Sequence, residues 1–272
     1  MPTYLDELLA TARERVAEAR AREPLDALEA RARERPSPPS FHAALAGGGV
    51  ALIAEVKRAS PSRGPIAPDL DAAAQAASYR DGGAAAVSVL TEPSRFGGSL
   101  DDLAAVAALG IPALRKDFLV DVSQVWEARA CGAAAVLLIV AALDDPALAT
   151  LLAACEEAGL HALVEVHDEI ELSRAAAAGA RIIGVNARDL RTFAVDRDAF
   201  ARLRPAFPPG VLAVAESGIA TPDAVAQAHA AGADAVLVGE HLVRAADPRA
   251  AVAALVAAGA STGPAHPTDR DR

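Results

Sequence analysis

Eight times between residues 49 and 238 the chain repeats one short pattern: a glycine, up to three small or apolar residues, then an aliphatic, often β-branched run. The glycines are Gly49, Gly83, Gly110, Gly132, Gly159, Gly179, Gly210 and Gly232. A glycine closing a helix can turn left-handed and lead the chain into a strand. The runs that follow, 50–56, 85–90, 111–115, 134–140, 162–166, 181–185, 211–215 and 235–238, have the length and two-sided apolarity of buried parallel strands. A loop and a helical stretch follow each of them, and Asp247-Pro248-Arg249 opens a last helix reaching about Ala258. Strands alternating with helices pair in parallel through right-handed crossovers. Eight such units predict an α/β fold, a closed (β/α)8 TIM barrel, and 272 residues suit one such domain. An open doubly wound sheet would instead carry a Gly-rich dinucleotide loop after its first strand, and the segment after Lys57 does not have that form.

The flanks differ from the repeat. Residues 3–35 alternate Leu, Ala and Val with Arg and Glu at helical spacing, and Pro24 divides them into two predicted helices. Arg35-Pro36-Ser37-Pro38-Pro39-Ser40 cannot continue a helix and reads as a linker. The expected organisation is an N-terminal helical extension and linker over 1–48, a catalytic barrel over 49–260, and a polar, proline-containing tail over 261–272 that reads as disordered. The extension is expected to bury its apolar stripe across the barrel mouth.

Composition excludes several classes of function. A net charge of −10 argues against a nucleic-acid partner. The longest apolar run, Ala133 to Leu143, has eleven residues, short of the ~18 that a membrane span needs. The N-terminus shows no basic start followed by an apolar block, so a cytoplasmic protein is expected. Cys131 and Cys155 fall in predicted helices without metal-type spacing.

The first strand ends in an acid and a base. Residues two apart on a strand share a face, so Glu55 and Lys57 follow Ala51 and Ile53 on one side. Of 26 lysines and arginines only Lys57 and Lys116 are lysine. Guanidinium keeps its proton at any working pH, whereas an ammonium can be tuned by burial to give or take one. Both lysines stand at predicted strand ends, the face on which such barrels place their chemistry. The third strand puts Lys116 on the face of Leu114, with Phe118 just beyond, and the fifth puts Glu165 on the face of Leu163. Strand one is followed by Ser60 and Ser62, strand two ends at Ser88, Thr91 and Glu92, and strand six at Asn186 and Arg188. Strand seven ends at Glu216-Ser217-Gly218 and strand eight at Gly239-Glu240-His241. The last two loops suit a phosphate, because Gly218 and Gly239 let backbone amides approach an anion and Ser217 adds a hydroxyl. His161, His167, His229 and His241 share no face with carboxylates, so no metal is expected and they read as surface or supporting residues.

At these motifs the chain resembles the indole-3-glycerol phosphate synthase family. The matching segments are Ile53-Ala-Glu-Val-Lys-Arg through Ser60-Pro-Ser, Val89-Leu-Thr-Glu, Leu114-Arg-Lys-Asp-Phe, Leu163-Val-Glu-Val-His, Gly184-Val-Asn-Ala-Arg-Asp-Leu and Ala215-Glu-Ser-Gly-Ile. The Leu5-Asp-Glu helix is similar to the extension this family adds before its barrel. Family members often carry lysine where Arg63 stands and serine near Glu240 or His241. The resemblance implies a carboxy-lyase of tryptophan biosynthesis. Its substrate would be 1-(2-carboxyphenylamino)-1-deoxyribulose 5-phosphate, which loses CO₂ and water to give indole-3-glycerol phosphate. It also implies roles: Lys116 as general acid, Glu165 for proton transfer, and Lys57 for carboxylate contact with a share in dehydration. Glu55 would set Lys57, Glu216 and Asn186 would orient the aniline nitrogen and hydroxyls, and Phe118 would wall the aromatic ring. Ser60, Arg188, Ser217, Gly218, Gly239 and Glu240 would bind the anionic parts. No cofactor is implied, the partner is a phosphorylated small molecule, and a monomer or weak homo-oligomer is expected. From the residues alone, a Schiff-base aldolase, another phosphosugar-binding barrel enzyme such as an isomerase of the phosphoribosyl amine, and a non-catalytic phosphosugar-binding barrel stay open.

Overall fold

Each of the eight predicted strands forms, and together they close into a parallel barrel in a computed structural model that describes residues 3–61, 63–189 and 192–260. In chain order the strands are β1 (Ala51–Val56), β2 (Ala86–Leu90), β3 (Ala113–Lys116), β4 (Ala135–Ile139), β5 (His161–Val166), β6 (Ile182–Asn186), β7 (Leu212–Glu216) and β8 (Ala235–Val238). Each pairs with its sequence neighbour, and β1 pairs with β8 from Ala51↔Ala235 to Ala54↔Val238 to complete the ring. All eight repeat glycines have positive φ, from 68° at Gly159 to 130° at Gly49, as the helix-to-strand reversal requires. The third strand starts later than its apolar run because Pro112 has no N–H to give the ladder, although its carbonyl still accepts from Val87.

Helices α1 (Tyr4–Arg22), α2 (Leu25–Arg33) and α3 (Phe41–Leu45) precede the barrel. Within it, α4 (Ala72–Asp81), α5 (Leu100–Ala107), α6 (Val122–Ala130), α7 (Asp145–Ala158), α8 (Glu169–Ala177), α9 (Ala199–Leu203), α10 (Pro222–Ala230) and α11 (Pro248–Gly259) form the outer layer. Two buried shells result from the strand period. Residues such as Leu52, Val87, Val136 and Val164 face the helices, while Ile53, Leu114, Leu137, Leu163 and Val214 fill the interior.

The extension wraps the barrel from one end to the other. Thr3 and Asp6 form a capping box that starts α1, and Pro24 breaks the helix and caps α2. Only the first turns of α1 reach the mouth, where Tyr4, Leu5 and Leu8 line the cavity described below. The expectation that both helices cover the mouth is corrected for α2, which lies along the outer wall against α6 and buries Leu28 and Ala32 in the outer shell. The short α3 was not foreseen. It buries Phe41 and Leu45 completely in the interior at the end where the strands begin, with Ser40 and His42 beside His161. Ser62, Leu190, Arg191 and the tail expected to be disordered, 261–272, lie outside the described residues.

Candidate active site

Strand period carries each interior apolar residue outward to a polar one at the C-terminal rim. Ile53 leads to Glu55 and Lys57, Leu114 to Lys116, Leu163 to Glu165, and Val214 to Glu216. They meet at the floor of a cavity of about 650 Å³. Its wall includes every residue given a role above: Glu55, Lys57, Ser60, Lys116, Phe118, Glu165, Asn186, Arg188, Glu216, Ser217, Gly218, Gly239 and Glu240. Ser88, Thr91 and Glu92 at the end of β2 do not line it and bond instead to Glu55, Asp117 and the backbone of the next turn, respectively. Sequence reading did not single out Arg197, Arg244 or Phe193, which also line it.

Lys116 stands among three carboxylates without a short bond to any of them. Its Nζ lies 3.7 Å from Glu165 Oε2, 3.7 Å from Glu216 Oε2 and 4.0 Å from Glu55 Oε2. Burial opposes its charge, but Glu165, Glu216 and Glu55 outweigh burial and hold the ammonium's pKa above the usual lysine value. Glu55 is committed more tightly, with Oε1 2.8 Å from Lys57 Nζ and Oε2 3.5 Å from the Ser88 hydroxyl. Burial works against its ionisation, yet Lys57 and Lys116 hold its pKa below the usual carboxylate value. Glu165 and Glu216 accept no hydrogen bond from the described residues, although both are buried. Burial and the neighbouring Glu165 charge push Glu216 up to about 8. Two glycines make room for this packing. A Cβ on Gly184 would collide with the Glu216 carboxylate, and one on Gly239 would lie 2.5 Å from Glu55 Oε1 and 3.1 Å from Lys57 Nζ.

The far wall suits an anion. Ser217 takes a left-handed backbone, φ 66°, and its hydroxyl donates to Asn186 Oδ1 at 2.8 Å, so its outward contribution is the backbone amide more than the hydroxyl. Asn186 Oδ1 also accepts from the Arg188 N–H at 3.0 Å, and Arg188 Nη1 donates to the Phe193 carbonyl at 3.0 Å. Glu240 opens a single helical turn directly after Gly239. Its carboxylate is spent on Arg244 at 3.1 Å and Arg63 at 3.6 Å, which leaves its backbone amide as the group suited to an anion. Phe118 is buried beside Phe96, with ring centroids 6.4 Å apart.

Sequence reading also passed over the outward face of β3. Arg115 and Asp117 flank Lys116 and turn to other partners, Arg115 to α6 and Asp117, at the cavity's edge, to Arg15 of α1. Arg115 donates to the Gln124 carbonyl at 2.6 Å and to Glu127 at 3.0 Å, and lies 3.3 Å from Asp117. Asp117 receives a two-pronged bond from Arg15 of α1 at 2.8 and 3.1 Å, and the Thr91 hydroxyl at 2.8 Å. Burial disfavours the Asp117 charge, but Arg15 and Arg115 hold its pKa below the usual carboxylate value.

The reading of His167 is corrected. Its Nε2 lies 3.5 Å from Glu165 Oε1, and its Nδ1 and backbone N–H lie 3.0 and 2.8 Å from Glu171 Oε2. It therefore does share a face with a carboxylate, two residues along β5, and has a second one a helical turn away.

An ammonium such as Lys116 can give a proton to a bound oxygen, and the two carboxylates left unsatisfied among the described residues, Glu165 and Glu216, can take one from a bound carbon or nitrogen. Comparison with known proteins identifies the family. A profile of the family described as "Indole-3-glycerol phosphate synthase" matches residues 5–255. The chain is 56% identical over 260 residues to the indole-3-glycerol phosphate synthase of Mycolicibacterium vanbaalenii, covering 95% of each chain. It is 56% identical over 260 residues to that of Streptomyces griseus, covering 95% of this chain and 96% of that one. In fold it is similar to 3-hexulose-6-phosphate synthase from Salmonella typhimurium, with a TM-score of 0.63 at 17% identity over 77% of this chain and 98% of that one. With a family match over nearly its whole length, the chain belongs to the indole-3-glycerol phosphate synthase family.

Proposed function

We propose that the rim residues divide the family's reaction among them as follows. The enzyme is a carboxy-lyase that closes the indole ring of 1-(2-carboxyphenylamino)-1-deoxyribulose 5-phosphate. The ring carbon that bears the carboxylate attacks the sugar ketone. Lys116, deepest among the carboxylates, gives the ketone oxygen its proton. CO₂ then departs and leaves its electron pair to the aromatic ring. Loss of the new hydroxyl as water needs a second acid and a base that takes a proton from the neighbouring carbon. Lys57, held by Glu55, supports the carboxylate and shares in dehydration, while Glu165 moves protons and Glu216 with Asn186 orients the aniline nitrogen and hydroxyls. Phe118 walls the aromatic ring. The phosphate is held by the amides of Ser217, Gly218, Gly239 and Glu240 with Arg188, and Ser60 contributes from the first loop.

One observation carries this assignment: Lys116 faces Glu55, Glu165 and Glu216 at 3.7 to 4.0 Å on the floor of a cavity. All of these residues come from a single chain, which supports a monomer or weak homo-oligomer. The same continuity supports a catalytic barrel over 49–260 preceded by an extension over 1–48. The test is the appearance of indole fluorescence when purified enzyme meets the carboxyphenylamino substrate. Trapping with borohydride should leave no covalent adduct, whereas an adduct on Lys116 would turn the assignment toward a Schiff-base aldolase.

A further inference from the structure

The reaction does not balance in protons within the site. The ketone oxygen takes one proton at ring closure, and the departing hydroxyl takes a second to leave as water. Only one returns, from the carbon next to the aniline nitrogen, since the carboxylate leaves as CO₂. Each turnover therefore consumes one proton, while the substrate fills the open side of the cavity. Glu165, at 1% exposure, is sealed.

Behind Glu165, outside the cavity lining, stands His167. The two carboxylate oxygens of Glu165 face different partners: Oε2 is 3.7 Å from Lys116 Nζ and Oε1 is 3.5 Å from His167 Nε2. Both oxygens and His167 Nε2 are buried without a hydrogen-bond partner among the described residues. Glu171, opening α8, anchors the other side of the ring through Nδ1 at 3.0 Å. The groups facing His167 are thus Glu165 on its own strand, Glu171 from α8, and more distantly Glu216 from β7.

We propose that His167, oriented by Glu171, is the proton reserve that restores Lys116 through Glu165. The inference rests on the roles given above to Lys116 and Glu165. After Lys116 Nζ has protonated the ketone oxygen, the imidazolium passes its Nε2 proton to Glu165 Oε1. Rotation of the Glu165 carboxyl carries that same proton round to Lys116 Nζ, which takes it and leaves Glu165 a carboxylate again. The ring stays neutral, with Nδ1–H on Glu171, until water reprotonates it between turnovers. Burial alone would discharge the imidazole, but Glu171 and Glu165 outweigh it and raise its pKa, which favours the charged ring. His167 touches no reacting atom and is a positioning and relay residue.

The experiment uses the full chain and the variants His167→Ala, His167→Gln and Glu171→Gln, with Lys116→Met as control. His167→Ala should lower kcat by about tenfold at neutral pH and more in alkali, with KM within about twofold, because only proton supply is lost. Raising imidazole buffer at fixed pH and ionic strength should restore most of the lost kcat in His167→Ala and leave wild type unchanged. Glu171→Gln should move the alkaline limb of the pH profile downward. Wild-type-like kcat in His167→Ala, or a loss that imidazole leaves untouched at every pH, would overturn the proposal. If His167→Ala does not fold, the buffer response of His167→Gln decides in the same way. Lys116→Met separates the two levels: substantial activity in that variant would remove the reading of the site itself, not only the relay.

Discussion

Two charged clusters lie back to back on the last residues of β3, and they are built in opposite ways. On the outward side, Arg115, Asp117, Arg15, Glu127 and Thr91 join through contacts of 2.8 to 3.3 Å, with nearly every donor answered. On the inward side, Lys116 stands 3.7 Å from both Glu165 and Glu216, whose carboxylate oxygens accept no hydrogen bond among the described residues. Alternation along one strand separates the two. Satisfied charge holds a fold in one arrangement, whereas unsatisfied charge is a cost the fold bears so that a substrate can supply the missing partners. The outward cluster also ties α1 to the strand end that carries Lys116, so the rigid network positions the reactive one.

The comparison breaks first at Lys116. Lys116→Arg keeps the charge and removes the transferable proton, so kcat should fall ~10²- to 10⁴-fold, about 3 to 5 kcal/mol of barrier, with product affinity retained. An arginine variant keeping more than about a tenth of kcat would move the general-acid role to Lys57. Next in size is the outward cluster. Asp117→Ala removes the carboxylate shared by Arg15 and the buried Arg115, leaving Arg115 only Glu127, and should cost about 3 kcal/mol of stability in denaturant titration, with a smaller proportional loss in kcat. Equal damage to both would mean that the two clusters are not separable.

The smallest effect is the most discriminating, because the clusters predict opposite slopes against pH. Folding raises the pKa of Glu216, so the folded chain holds a proton that the unfolded chain has released. Stability from this group is complete below the ordinary carboxylate pKa and is lost as pH rises toward about 8. Asp117 is depressed, so its contribution is present above the ordinary carboxylate pKa and is lost as pH falls below it. Glu216→Gln should flatten the first slope and gain on the order of 1 kcal/mol in alkali, while Asp117→Asn should flatten the second. Thermal melting across pH for the two variants checks both, and matching slopes would defeat the contrast.

The inward cluster was legible in the sequence and the outward one was not. Glu55, Lys57, Lys116, Glu165 and Glu216 each interrupt an apolar run at strand period, and two lysines among many arginines are conspicuous. Arg115 and Asp117 sit in the same motif, but their meaning depends on Arg15, 102 residues from Asp117, a separation at which no local pattern speaks. His167 escaped for a different reason. Its two partners lie at spacing two along a strand and four across the junction into a helix, and neither period alone spans both. The helix Phe41–Leu45 left only a faint signal, a capping serine and an apolar pair four apart after a proline-rich stretch.

The order of the strands around the ring divides the site's charge by sequence. Strands β1 to β4 carry Lys57, Lys116 and Glu55, an excess of one positive charge, while β5 to β8 carry Glu165 and Glu216, both acidic, with the glycines that fit around them. The pocket's floor thus lies along the seam between two half-barrels, each with a partial set of groups. Glu216 resting over Gly184 belongs wholly to the second half, whereas Gly239 against Glu55 and Lys57 spans the β8–β1 seam. Neither half alone brings Lys116 together with Glu165 and Glu216, so the reactive constellation exists only once the ring is closed.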